Sequence, residues 1–265
     1  VLRPFGLEGQ RVRLEPLDDS HAPELAAAGA RDRESYAFTW VPDGLADARR
    51  YVMAALAGRD SGRAVPFAVR HLESGQVVGS TRFLDLDVFT WPPPWPPGVG
   101  SGPEPSEENP PTVAEIGSTW YAASARRTAV NTECKLLMLR HAFETWRVAR
   151  VTLKTDARNK ASRAAIDRLG GRFEGVRRAH SLAQDGTIRD TAYFSIVAAE
   201  WPEVRDGLER RLTPPVLAAL HRSYADDRCP ARVTGNLYHR FLTFPDDRPK
   251  EPGARVHSGC ERPQP

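Results

Sequence analysis

A chain of 265 residues that is 40% hydrophobic and 27% charged carries enough apolar side chain for one large core or two small ones, which excludes a low-hydrophobicity disordered protein. Its net charge of +3 comes from 37 Lys and Arg interleaved with 34 Asp and Glu, so no basic run tracks DNA or RNA, and no apolar window is long enough to cross a membrane. Cys134, Cys229 and Cys260 are too scattered for a disulfide framework, and the opening VLRPFGLEGQ lacks the pattern of a signal peptide; together these point to a reducing cytoplasm.

Residues 11–16 (RVRLEP) alternate Val12 and Leu14 with polar neighbours, the period of a half-buried strand. LDDSHAPELAAAGA then offers an Asp or Ser cap before Leu25, Ala26 and Ala28, a short helix. Residues 43–56 place Leu45, Ala48, Val52 and Leu56 at helical spacing. Residues 66–71 and 76–87 read as two strands joined through Glu73, Ser74 and Gly75, hence a hairpin. Residues 89–111, FTWPPPWPPGVGSGPEPSEENPP, hold too many prolines for a ladder or helix. They read as a long surface loop: an unstructured insertion, a lid over an acceptor site, or a surface that packs on a second subunit as a homodimer. Trp91 and Trp95 are costly to expose without such a partner.

Residues 113–121 (VAEIGSTWY) form the next strand. Residues 132–146 make a helix whose apolar stripe is Leu136, Leu139, Phe143 and Trp146. Residues 149–155 alternate Val151 and Leu153 with Arg150 and Lys154, a strand; residues 159–169 make a helix that Gly170-Gly171 ends. Residues 172–182 and 187–198 read as an antiparallel pair around Gln184-Asp185-Gly186. The order β α α β β β α β α β β mixes hairpins with strand–helix–strand crossovers. It predicts an α/β protein (α+β type) with a mixed, mainly antiparallel twisted sheet flanked by helices, over residues 1–212. A polar extension, 213–265, follows, with one further helix over residues 214–224. Its His221, Cys229, His239, His257 and Cys260 show no tight ligand spacing, so no metal is expected.

The chemistry is concentrated in residues 115–143, EIGSTWYAASARRTAVNTECKLLMLRHAF. A strand ends at Tyr121, a short loop carries Arg126 and Arg127, and a helix starts between Thr128 and Thr132. Free amides at a helix start carry partial positive charge, and beside two arginines they suit a phosphate; an ordinary capped helix with two solvated arginines fits the same residues.

This stretch resembles the acetyl-CoA-binding motif of the GNAT superfamily of N-acetyltransferases, Arg/Gln-x-x-Gly-x-Gly/Ala. It is matched on Arg126-Arg127-Thr128-Ala129-Val130-Asn131, with Ala129 in place of the usual glycine and Asn131 in place of Gly or Ala. Downstream, Asn159, Ser162, Ala165, Leu169, Gly170, Phe173, Glu174 and Gly175 follow in the order of the RimJ/RimL-type branch, the ribosomal-protein N-terminal acetyltransferases. The resemblance covers roughly residues 8–212. It implies the acyl-CoA N-acyltransferase fold, acetyl-CoA as co-substrate and an amine acceptor, a protein N-terminus or a small molecule, that attacks directly in a ternary complex.

The resemblance also implies roles. Glu115 matches the strand glutamate that acts as base in several members; a glutamate merely paired with an arginine is the plain alternative. His180 is the second candidate base, and a structural histidine the rival reading. Ser162 matches the serine that donates to the leaving sulfur, against a helix-surface serine, and Asn159 contacts the pantetheine arm, caps the helix, or both. Backbone of Ser118, Thr119, Trp120 and Tyr121 is expected to pair with pantetheine and face the carbonyl oxygen. Cys134 reads as a buried structural thiol rather than an acyl carrier. The competing functional class is a non-catalytic CoA-binding regulatory module on the same fold.

Overall fold

The computed structural model describes residues 2–90 and 104–213. One sheet runs in the order β1-β2-β3-β4-β5-β6-β8-β7: Leu7–Glu8 (β1), Val12–Pro16 (β2), Ala64–His71 (β3), Val77–Asp87 (β4), Val113–Tyr121 (β5), Arg150–Asp156 (β6), Arg172–Leu182 (β7) and Ile188–Val197 (β8). Every neighbouring pair is antiparallel except β5 with β6. The β3–β4 hairpin turns where Gly75 takes φ +67°, a conformation glycine adopts without a Cβ clash. The expected mixed, mainly antiparallel sheet is therefore present, and the strand bounds agree with the sequence pattern to within about two residues.

Helices cover both faces. On one, α1 (Ala22–Gly29) and α2 (Gly44–Asp60) bury Leu25, Ala48, Val52 and Ala55 around Tyr36 and Trp120. On the other, α3 (Val130–Arg140), α4 (Lys160–Arg168) and α5 (Trp201–Leu212) bury Cys134, Met138, Leu139, Ile166, Trp201 and Leu208 against Phe67, Phe83, Ile116 and Ile196. Each helix hides one apolar stripe, and the sheet supplies an apolar surface on either side.

Several elements differ from the sequence pattern. Helix α2 extends to Asp60, and Leu45, expected inward, is exposed while Ala55 takes its place in the core. The single helix expected over residues 132–146 starts two residues earlier and continues past α3 as a π-helical turn over His141–Trp146, which Arg147 ends at φ +60°. The wider turn keeps Phe143 and Trp146 inward, and Phe143 stacks on Trp201 at 5.4 Å. Helix α5 and the short β1 have no counterpart in the sequence reading. The polar extension with its predicted helix, and the Trp/Pro stretch from Trp91, lie outside the described residues.

One buried anion ties the amino-terminal strands to α3. Glu133, in the helix's first turn and 4% exposed, accepts from the amides of Gln10 (3.1 Å), Arg11 (2.7 Å) and Val12 (2.9 Å). Gly9 admits this carboxylate, since a Cβ there would meet Glu133 Cδ at 2.7 Å. A carboxylate near a helix start also gains from the helix dipole. Replacing Glu133 by Ala orphans three amides. It should cost about 2–4 kcal/mol of unfolding free energy in urea denaturation, with Glu133→Gln costing less because it keeps an acceptor; an unchanged midpoint in Glu133→Ala would contradict this anchoring role.

Candidate active site

Strands β5 and β6 pair only over Val113–Arg150, Ala114–Val151 and Glu115–Thr152. Beyond Glu115 they part: β5 stays with β4, and β6 pairs along its length with β8. Two parallel edges therefore face each other across an open gap, from Ile116 to Tyr121 on one side and from Leu153 to Asp156 on the other. A bulge accompanies the parting. Ser118 sits at φ +47°, and the β4–β5 register steps from Arg82↔Gly117 to Ser80↔Trp120, so one extra residue on β5 increases the local twist. The extra residue also changes which side chains face which layer. Ala114, Ile116 and Tyr121 join the α3 side, whereas Trp120 joins the α1–α2 side.

At the wide end of the gap the chain leaves β5 and rebuilds itself as α3. Ala122 N donates to Val78 O (2.7 Å), a 3₁₀ turn spans Ala123–Ala125, Arg126 is extended, and Arg127 takes φ +61°. Thr128 Oγ1 donates to Ala125 O (2.7 Å) and accepts from Val130 N (3.2 Å). No acceptor among the described residues meets the amides of Arg127, Thr128 or Ala129. Ala129 holds an ordinary right-handed helical conformation (φ −71°, ψ −11°), so no glycine is needed there, and Asn131 lies in the first turn of α3. The two arginines part company. Arg126 donates to Asp32 (2.5 Å) and lies over the Tyr36 ring (5.1 Å), whose hydroxyl donates to Tyr121 O (3.1 Å), whereas Arg127 is exposed.

At the narrow end a charge cluster runs from the buried Glu115 out to the exposed Asp85. Glu115 is 5% exposed; its Oε2 is 2.5 Å from Lys154 Nζ, which also donates to Asp85 (3.1 Å). Burial pushes the Glu115 carboxyl up to about 7, against the pull of Lys154 in the opposite direction. Burial also works to raise Asp85, but its hydrogen bond with Glu115 and the Lys154 ammonium hold it below the usual carboxylate range. Gly117 gives the Glu115 carboxylate room, because a Cβ at 117 would stand 2.7 Å from Glu115 Oε1. The cluster continues across the sheet. Lys154 Nζ is 5.7 Å from the Tyr193 ring centre, and His180 bonds Tyr193 Oη (3.3 Å) and Thr191 Oγ1 (2.9 Å). Burial and the neighbouring Arg177, Lys154 and Arg189 lower the His180 pKa, which favours a neutral ring at pH 7.

The structure thus brings Glu115 and His180 into one polar row through Lys154 and Tyr193. Ser162 and Asn159 stand apart from that row. Asn159 Oδ1 accepts from Ser162 N (2.9 Å) and caps α4, just past the end of β6 and so at the same end of the gap as Tyr121 and the Arg126–Val130 loop. Cys134 is fully buried and its thiol is pushed up to about 12 by burial, as a structural thiol should be. Two lysines carry more than the sequence pattern assigns them. Lys154 alternates as a solvent-facing strand residue would, yet it neutralises Glu115. Lys135 is buried in α3 beneath β5 and donates to Thr119 Oγ1 (2.7 Å) and Thr81 Oγ1 (3.2 Å); burial lowers its pKa to about 8.

Residues 11–172 match the family model described as an acetyltransferase (GNAT) domain. No curated protein matches the sequence. Among solved structures, a GCN5-related N-acetyltransferase from Brucella melitensis superposes with a TM-score of 0.66 at 28% identity, over 80% of this chain and 87% of that one. Mycobacterium smegmatis RimJ in complex with CoA-disulfide shares the fold, with a TM-score of 0.61 at 20% identity over 78% and 95% of the two chains. So does the microcin C7 self-immunity acetyltransferase MccE in complex with acetyl-CoA and AMP, at 0.56 and 17%, over 71% and 93%.

Since burial raises Glu115 and Lys154 opposes it, Lys154→Met should move the Glu115 pKa above its present value near 7. A carboxyl-carbon NMR titration reads this directly; a downward or absent shift would show that the ion pair does not set the carboxyl's charge.

Proposed function

The chain belongs to the GNAT acetyltransferase family, and on that premise we propose that it transfers the acetyl group of acetyl-CoA to a primary amine, of a small molecule or a protein N-terminus, with both substrates bound together. The observation that carries this reading is the parting of β5 from β6, with unpartnered amides at its wide end and a near-neutral carboxyl at its narrow end. Acetyl-CoA, when bound, supplies the acetyl group as a reactive thioester. The order Asn159, Ser162, Ala165, Leu169 supports the RimJ/RimL-type branch.

The open loop amides of Arg127, Thr128 and Ala129, with the first turn of α3 at Val130 and Asn131, are suited to a diphosphate. Arg127, exposed and in no ion pair among the described residues, adds a cation beside them. Arg126, held by Asp32 and Tyr36, braces the loop against the residues that follow α1. The unpaired edge at Ser118, Thr119, Trp120 and Tyr121 can accept an extended amide-bearing arm as a strand accepts a neighbour.

Glu115 takes the proton of the amine. A carboxyl near 7 is charged in a useful fraction at neutral pH and basic enough to compete for that proton, the condition for efficient general-base catalysis. His180, neutral and connected through Tyr193, is the second acceptor in the row. The Ser162 hydroxyl donates to the sulfur as it departs, and Asn159 fixes the turn that carries it.

An amine panel with acetyl-CoA tests the reading. Turnover should appear with at least one acceptor. Glu115→Gln should lower kcat/KM by roughly 10²–10⁴-fold, the usual contribution of a positioned base, and Ser162→Ala by about tenfold. Protonated Glu115 cannot accept the amine's proton, so kcat/KM should rise with pH through about 7 and level above it. Turnover that both variants retain in full would refute the residue assignment, and CoA binding without turnover of any amine would leave a binding module instead.

A further inference from the structure

Arg82 carries an unspent positive charge on the face of the sheet that holds Glu115. The register sets Arg82 opposite Gly117 and Leu84 opposite Glu115, so both β4 residues point to the layer of α1 and α2. The intervening Thr81 and Phe83 point the other way, to Lys135 and the core. The Arg82 guanidinium stacks on Tyr51 of α2, 5.0 Å from the ring centre, and Tyr51 is itself fixed by the indole N–H of Trp120, which donates to its hydroxyl (3.2 Å). Its Nε is buried without a hydrogen-bond partner among the described residues. Glu115 and Asp85 give their charge to Lys154, and Arg82 enters no ion pair among the described residues.

Two opposite charges thus rise from neighbouring points of one sheet face and are held apart. The Glu115 carboxylate lies over Gly117, the residue opposite Arg82. The amine and carboxylate of an α-amino acid sit on one carbon, so only charged groups rising from neighbouring points of one face, each within a hydrogen bond of about 3 Å, can hold both of its ends. A buried guanidinium edge without an acceptor is costly, and a bidentate carboxylate is the group that best satisfies it. We propose that Arg82 determines acceptor specificity by binding a carboxylate, and that the acceptor is a free amino acid whose amine lies at Glu115 and whose carboxylate lies at Arg82. This rests on the acetyl-transfer reading above. In the reaction the amine nitrogen bonds the acetyl carbon as the carbon–sulfur bond breaks. Of the two protons the ammonium loses, one goes to Glu115 and on to solvent, and the other ends on the departing sulfur.

The test compares each proteinogenic amino acid with its C-terminal amide, which keeps the amine and side chain, removes the anion, and mimics a protein N-terminus. Calorimetric titration into the CoA-saturated protein should show the best amino acid binding at least about tenfold tighter than its amide, with the same preference in kcat/KM. Arg82→Met should abolish the preference while leaving the amide's affinity unchanged, and Arg82→Lys should restore part of it. Equal binding of acid and amide to the wild type would overturn the proposal without recourse to any variant, as would an Arg82→Met loss shared equally by both. A binding preference without turnover would uphold Arg82 and refute acetyl transfer; turnover of amides alone would do the reverse.

Discussion

Two parallel strands that start as partners and then separate set everything else in this molecule. β5 and β6 share three register pairs and no more, and the bulge at Ser118 twists β5 away at the point where the third pair ends. Parting leaves two facing strand edges without ladder partners among the described residues, which a folded domain tolerates only where something else can satisfy them. The gap is bounded by unlike chemistries: unpartnered amides where β5 runs into α3, and a buried carboxyl where the strands still touch.

The narrow end works by competition. Burial alone would leave Glu115 protonated well above neutral pH, and a fully matched ion pair would leave it a feeble base. One lysine shared between two carboxylates, Glu115 and Asp85, gives an intermediate result. The tuning depends on Gly117, because a side chain there would push the carboxylate out of position. Residues read from the pattern as ordinary strand positions, Lys154 and Asp85 among them, therefore set the charge of the buried glutamate.

Much of the fold was legible because it follows period and punctuation. Val12 and Leu14, the Gly75 turn, the 113–121 strand and the Gly170 cap each announce themselves locally, and the structure keeps them. Helix α5 was missed although Trp201, Val204 and Leu208 stand at helical spacing and Pro202 sits in the first turn, because the charged residues around them dilute the signal. The π-helical turn at His141–Trp146 has no sequence signature, since it depends on how Phe143 and Trp146 meet the core. The site was legible in part. Resemblance drew attention to Glu115, Asn159 and Ser162, while Lys154, Lys135 and Arg82 owe their environments to strands distant in the chain. The same applies to Arg126, whose partner Asp32 lies 94 residues away.

The grip of Glu133 on Gln10, Arg11 and Val12 reaches beyond anchoring. The carboxylate belongs to the first turn of α3, the same turn that follows the loop amides, so the amino-terminal strands and that loop share one fastening. Trimming the chain into Gly9–Val12, or fusing a tag that disturbs that turn, would leave an anion stranded in the interior. The damage would surface where α3 begins, as a loosened 127–129 loop rather than only a frayed terminus.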